Sequence, residues 1–118
     1  MSKNHLRYLK DIIKALKSIE TFVEEMNFEG FRQDDKTMSA VIRKFEIIGE
    51  ATKNISNNIR DQYSQIPWKE MAGMRDRLIH GYSDVDLNLV WETIQKRLPE
   101  LKSEIQNILK EEEKKEIS

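Results

Sequence analysis

The stretch Leu6-Arg-Tyr-Leu-Lys-Asp-Ile-Ile-Lys-Ala-Leu-Lys-Ser-Ile-Glu-Thr-Phe-Val-Glu-Glu-Met26 decides the fold class. Leu6, Leu9, Ile12, Ile13, Leu16, Ile19, Phe22, Val23 and Met26 recur at steps of three and four, the period of a helix with one buried side. They predict a first helix over about Lys3 to Met26. Lys3, Arg7, Lys10, Lys14 and Lys17 recur in the same way and form one basic stripe along it. Such a stripe is either a solvated helix face or an electrostatic track for an RNA backbone.

The same reading extends outward. Asn27 to Asp35, with Gly30 in its middle, reads as a turn, and Asp34 or Asp35 can cap the next helix. This second helix carries Met38, Val41, Ile42, Phe45, Ile48, Ile55 and Ile59 inward. Gly49 falls inside it. Glycine costs about 1 kcal/mol relative to alanine in a helix interior, so its presence implies close approach of another backbone. Pro67 fits the first position of a short third helix, about Trp68 to Ile79, stopped by Gly81. Asp84 or Asp86 opens a fourth, with Leu87, Val90, Trp91, Ile94 and Leu98 on its inner face. Pro99 must kink or split that helix, because a mid-helix proline removes a hydrogen bond and crowds the preceding turn. Leu101, Ile105, Ile108 and Leu109 continue its apolar stripe.

The expected architecture is all-α, an up-and-down bundle of four helices, or five if Pro99 divides the last. It forms a single domain over residues 1–110. The charged run Glu111–Glu116 lies in a tail, residues 111–118, that is expected to fray. A length of 118 residues suits one domain but is small for a monomeric enzyme. Four Gly and two Pro beside 35% charged residues leave little material for turn-rich β structure. The absence of Cys excludes disulfides, thiolate catalysis and Cys-ligated zinc. Two His far apart in sequence argue against a transition-metal site, and no cofactor is expected. No apolar run approaches a membrane span and the amino terminus lacks a signal peptide's hydrophobic stretch, so the expectation is a cytoplasmic chain with no membrane partner. His5 is expected at the surface, and Trp68 and Trp91 in the core.

Chemistry gathers at Arg75-Asp-Arg-Leu-Ile-His80-Gly-Tyr82. Arginine is always charged and its planar fork suits phosphate oxygens. Histidine exchanges a proton near neutral pH. Residues five apart on an ideal helix point about 140° away from each other, so Arg75 and His80 meet only through arginine's length and a loose last turn. Asp76 and His80 are four apart and would share a face, which lets Asp76 orient the imidazole. Arg77 is the alternative phosphate ligand. Arg and His near a helix carboxyl end also oppose the macrodipole, with Tyr82 packing on the bundle, so the bare pattern has a purely structural reading. Glu46 and Glu50 lie four apart on one helical face; they form either an acid pair or a salt-bridging face with Arg43 and Lys53.

The spacing R-x-x-x-x-H-x-Y resembles the signature of HEPN-domain ribonucleases and, more narrowly, of the HepT toxin family. Ile66-Pro-Trp-Lys-Glu-Met-Ala-Gly-Met-Arg75 leads into the motif as it does in HepT-like proteins. Ala40-Val-Ile-Arg43 and Ile48-Gly-Glu-Ala51 look like the family's second helix, Tyr82-Ser-Asp-Val-Asp86 and Val90-Trp91 like the start of its last, and Leu98-Pro-Glu-Leu101 like its middle. The resemblance runs from about Leu6 to Leu109. It implies an all-α HEPN fold, a homodimer, and an MNT-type nucleotidyltransferase as antitoxin partner. It implies metal-independent cleavage of RNA by Arg75 and His80; the spacing adds Asp76 and Arg77 as supporting residues. It also makes Tyr82 the residue that the partner adenylylates, which would silence the enzyme. The rival expectation is a non-catalytic helical subunit that binds substrate for a nucleotidyltransferase or docks with it. The Arg75/His80 pair separates the two, because a docking subunit needs no proton donor beside a phosphate clamp.

Overall fold

The computed structural model describes residues 4–79 and 85–117. Among them every regular element is helical, and the one β contact is an isolated antiparallel bridge between Ile79 and Val85. The opening apolar period becomes α1, Asn4–Phe22. It stops short of Met26: the chain turns over residues 23–25, where Glu25 is left-handed at a φ of 66°. The expected turn over Asn27 to Asp35 is instead a short helix, α2 (Phe28–Gln33), with the Asn27 side chain accepting from the Gly30 amide at 2.9 Å. Its buried Phe31 packs on Trp91, ring centroids 5.0 Å apart.

Asp34 caps α3 (Asp35–Lys53) by accepting from the Thr37 amide at 3.0 Å. The second helix does not run on to Ile59. It ends at Lys53, and Ser56 caps a separate α4, Asn57–Gln62. Ile55 and Ile59 are both buried, so the apolar period survives the break that it conceals. The third helix is likewise divided, into α5 (Trp68–Ala72) and α6 (Met74–Leu78), with Gly73 between them and Pro67 at the cap of the first. Trp68 is buried and its indole N–H donates to the Tyr63 carbonyl at 3.0 Å.

Asp86 caps α7 (Leu87–Glu92), accepting from the Leu89 amide at 3.1 Å. Asp84, Gly81 and Lys3 lie outside the described residues. Pro99 does not stop the chain's helical course. A π-helical turn over Thr93–Arg97 precedes it and leads into α8, Leu98–Ile117. The wider turn makes room where the proline ring would meet the preceding carbonyls. The charged run also differs from expectation: residues 111–117 continue α8, and Glu112 is buried. His5, expected at the surface, is buried beside it. The reason is mutual, since the two satisfy each other, His5 Nε2 lying 3.2 Å from Glu112 Oε1.

Helix α1 packs between α3 and α8, while α5 and α6 lie against α3. Leu9, Ile12, Leu16, Ile19, Phe45 and Leu101 are among the side chains closed off at the centre. Each such burial contributes about 1.5–3 kcal/mol. Among the described residues, no helix is long and apolar enough to cross a membrane.

Candidate functional site

Gly49 determines where the site forms. A Cβ there would come 3.1 Å from the Ala72 carbonyl oxygen, so α5 lies directly on the α3 backbone, as the interior glycine implies. That contact brings α6, which carries Arg75, beside the α3 face that carries Glu46. Between them opens a cleft of about 340 Å³, lined by Arg43, Glu46, Glu50, Lys53, Arg75 and Asp76 among others.

Three cations and three carboxylates face this cleft, yet Arg75 is loosely held. Its Nε lies 3.7 Å from Glu46 Oε2, and its Nη1 lies 3.6 Å from Asp76 Oδ1. Glu46 is shared, with Arg43 Nη1 at 3.7 Å from its other oxygen. These separations allow Coulomb attraction but lie beyond hydrogen-bond reach. Arg75 Nε is shielded from solvent and makes no hydrogen bond among the described residues. An unmet buried donor costs about 1–3 kcal/mol, so an anionic acceptor entering the cleft would relieve a penalty as well as gain an attraction.

The other predicted residues fall differently. Arg77 faces Glu70, with Nη1 3.5 Å from Oε1, and Glu70 is gripped from its other side by Arg97 at 2.9 Å. The hydrogen bond to Glu70 holds the Arg97 guanidinium above its ordinary pKa. Arg77 therefore joins a clasp between α5 and the π turn. Asp76 is exposed and pairs with Arg75. His80 and Tyr82 lie outside the described residues. The helix ends before them: α6 stops at Leu78, and Ile79 is extended at φ −129° and ψ 114°. The expected helical register between Asp76 and His80 is thus not continued through Ile79. The Ile79–Val85 bridge and a 3.1 Å bond from the Asp86 amide to the Leu78 carbonyl hold together the chain on either side of residues 80–84.

Among the described residues, the basic stripe does not line this cleft. Lys10, Lys14 and Lys17 border a different groove, between α1 and α8, which shares no lining residue with it. Arg7 lies over the Tyr8 ring, 5.7 Å from its centroid. Glu46 as the partner of Arg75 is what sequence reasoning missed. The signal was present: Glu46 and Gly49 are three apart on α3, and Gly49 marks where the neighbouring backbone lands.

Fold and cleft together define a small all-α domain that presents an incompletely partnered guanidinium in an open, charged cleft. The chain belongs to the ribonuclease HepT-like family, whose model matches residues 12–108. It is 47% identical over 110 residues to a probable ribonuclease HepT of Thermococcus cleftensis, covering 93% of this chain and 100% of that protein. Relatives from Methanocaldococcus jannaschii (45% identical, covering 92% of this chain and 93% of theirs) and Caldanaerobacter subterraneus subsp. tengcongensis (43%, 89% and 94%) carry provisional RNase names. No solved structure matches the chain at a significant level.

Proposed function

We propose that this chain is a metal-independent endoribonuclease, the toxin of a HepT/MNT-type toxin–antitoxin pair, cleaving RNA with Arg75 and His80. The observation that carries the reading is the state of Arg75: a guanidinium in an open cleft whose Nε has no hydrogen-bond acceptor among the described residues, in a chain of this family. RNA brings its own nucleophile. The 2′-hydroxyl attacks the adjacent phosphorus as His80 takes its proton, and the P–O5′ bond breaks as the imidazolium returns a proton to that oxygen. The products are a 2′,3′-cyclic phosphate and a free 5′-hydroxyl. Arg75 opposes the charge that develops on the phosphorane oxygens, with a planar fork that matches their geometry. The bridge that joins Ile79 to Val85 supports this reading, because it holds the described residues on either side of 80–84 together at the end of α6. A homodimer with two motifs facing across a two-fold axis would deepen the cleft.

Tyr82 is the proposed control point. A nucleotidyltransferase partner would move AMP from ATP to the phenolic oxygen with release of pyrophosphate, adding negative charge and bulk where an RNA phosphate must sit. The test is incubation of the purified chain with total RNA, with and without EDTA, and then analysis of the new ends. Cleavage that persists in EDTA and leaves cyclic phosphate is the expected result. Cleavage lost in EDTA and restored by magnesium would overturn the mechanism in favour of a carboxylate-held metal. With the partner and ATP present, Tyr82→Phe should escape silencing; if it is silenced as readily as the parent, the switch lies elsewhere.

A further inference from the structure

The second concavity of the molecule has a different chemistry. The groove between α1 and α8, about 460 Å³, has an apolar floor that includes Ile13, Phe22 and Leu109 and a rim set by Lys10, Lys14 and Lys17. The Thr21 hydroxyl on the same side donates to the Lys17 carbonyl at 3.1 Å, so it is already partnered. The rim cations are almost unopposed. Lys14 and Lys17 form no ion pair among the described residues, and Lys10 reaches Glu113 only at 3.7 Å. Glu20, one turn beyond Lys17, is taken by Lys102 at 2.7 Å.

An RNA backbone would gain from these lysines but nothing from the apolar floor. A helix with an apolar stripe flanked by carboxylates would gain from both. From Lys10 to Lys17 the rim extends about 10.5 Å along α1, the reach of carboxylates spaced four and three apart on a helix lying alongside. A furrow between two packed helices is also the shape that a third helix fills. We infer that the α1–α8 groove docks an acidic amphipathic helix of a protein partner, its apolar stripe on Ile13, Phe22 and Leu109 and its carboxylates on Lys10, Lys14 and Lys17. Partner recognition then lies apart from the Arg75 cleft, and the basic stripe belongs to protein docking.

The probe is a synthetic helical peptide with a leucine stripe flanked by glutamates, compared with its counterpart carrying lysines instead. Each is titrated onto the full chain by fluorescence anisotropy, with amide shifts recorded by NMR. The acidic peptide should bind and its basic counterpart should not, with shifts centred on Ile13, Phe22 and Leu109. Lys14→Glu with Lys17→Glu should weaken binding about tenfold or more, a loss near 1.4 kcal/mol. Both lysines are exposed, and Lys14→Gln with Lys17→Gln gives the same test if charge reversal disturbs α1. No binding, or equal binding of the two peptides, overturns the inference. So does an equal loss of affinity for a single-stranded RNA oligonucleotide in the double variant, which would make the stripe a phosphate track. Self-association that the double variant abolishes would assign the groove to a second copy of this chain and overturn it as well.

Discussion

Two clusters of charge, the Glu112 node and the Arg75 cleft, show opposite uses of the same groups. Glu112 is a buried carboxylate on α8 with its oxygens engaged: His5 Nε2 at 3.2 Å from α1, Lys115 Nζ at 2.7 Å one turn on, and the Tyr63 hydroxyl from the end of α4. Arg75 faces Glu46 and Asp76 on two sides, and neither carboxylate lies within hydrogen-bond distance. The node is closed, and it ties both ends of the chain to the middle. The cleft is open, and its principal cation is left with unused capacity. A buried polar group with its partners in place specifies a fold; one without them calls for a ligand.

The largest effect should come from removing the open cation. Arg75→Ala should lower the rate of RNA cleavage roughly 10²–10³-fold, the cost of losing one preorganised donor to developing charge. Its melting temperature should stay close to the parent's, because among the described residues the side chain gives up no hydrogen bond from its Nε. His80→Ala should lose cleavage to a comparable extent. Single-turnover kinetics beside a thermal melt check both; an Arg75→Ala variant that cleaves like the parent would remove the cleft from the chemistry.

Breaking the closed node should do the reverse. Glu112→Ala should destabilise the fold by about 3 kcal/mol, since it leaves buried partners uncompensated, while the folded fraction still cleaves. Acid should reproduce part of this. Burial of Glu112 opposes its ionisation, but hydrogen bonds from Lys115 and Tyr63 and the Lys115 and His5 charges outweigh burial and lower its pKa. A carboxylate lowered in the folded state contributes stability that is complete above its unfolded pKa, about 4.3, and is lost as pH falls through the folded value. Tyr63 is pushed up by burial and by its bond to Glu112, so its contribution is complete below about 10 and is lost as pH rises further. Urea melts from neutral into acid should therefore show a flatter decline for Glu112→Gln than for the parent. Parallel declines would deny the node its role.

How much the sequence reveals depends on the range of each interaction. The long helices α1, α3 and α8 announce themselves by period, two helix starts by neighbouring aspartates that can cap, and a close backbone approach by Gly49, though not which helix makes it. Local period could not show the break after Lys53, because Ile55 and Ile59 keep the spacing although they belong to different elements. Nor could it show α2, where Gly30 in the middle suggests a turn and the Asn27 cap is what makes the helix. His5 and Glu112 are opposite ends of the chain, and each looks like a surface residue until the other is placed beside it. At the candidate site, the motif singled out Arg75, and the structure places it at the cleft. Its partner Glu46 was not legible, because that pairing depends on how closely two helices approach.

That approach can itself be tested. Gly49→Ala gains about 1 kcal/mol of helix propensity but places a Cβ 3.1 Å from a backbone oxygen in α5, which cannot rotate away. Overpacking of this kind typically costs about 1–3 kcal/mol, so a net loss near 1 kcal/mol is expected. Because α6 comes directly after α5, the displacement should also lower cleavage. The node is remote from Gly49 in its contacts, and the acid limb of stability should be unaltered. A more stable variant with unchanged cleavage would show that α5 yields freely and does not position Arg75.

The smallest effect should be the most discriminating. Glu46→Gln keeps the shape of the α3 face and removes one negative charge from beside Arg75 and Arg43. Glu46 attracts the guanidinium but also opposes the phosphate that must replace it there. Its loss should therefore tighten RNA binding while leaving Arg75 less well aimed. Exposed pairs of this kind are worth about 0.2–1 kcal/mol, so KM should fall about 1.4- to fivefold and kcat should fall modestly with it. Both changes should shrink as salt is raised, because the groups are partly exposed and screened. The corresponding Glu112→Gln change in the closed node should move stability and neither kinetic constant. A KM that rises in Glu46→Gln at every ionic strength would mean that Glu46 meets the RNA directly, and Arg75 would then be a partner in a finished pair instead of a cation awaiting its ligand.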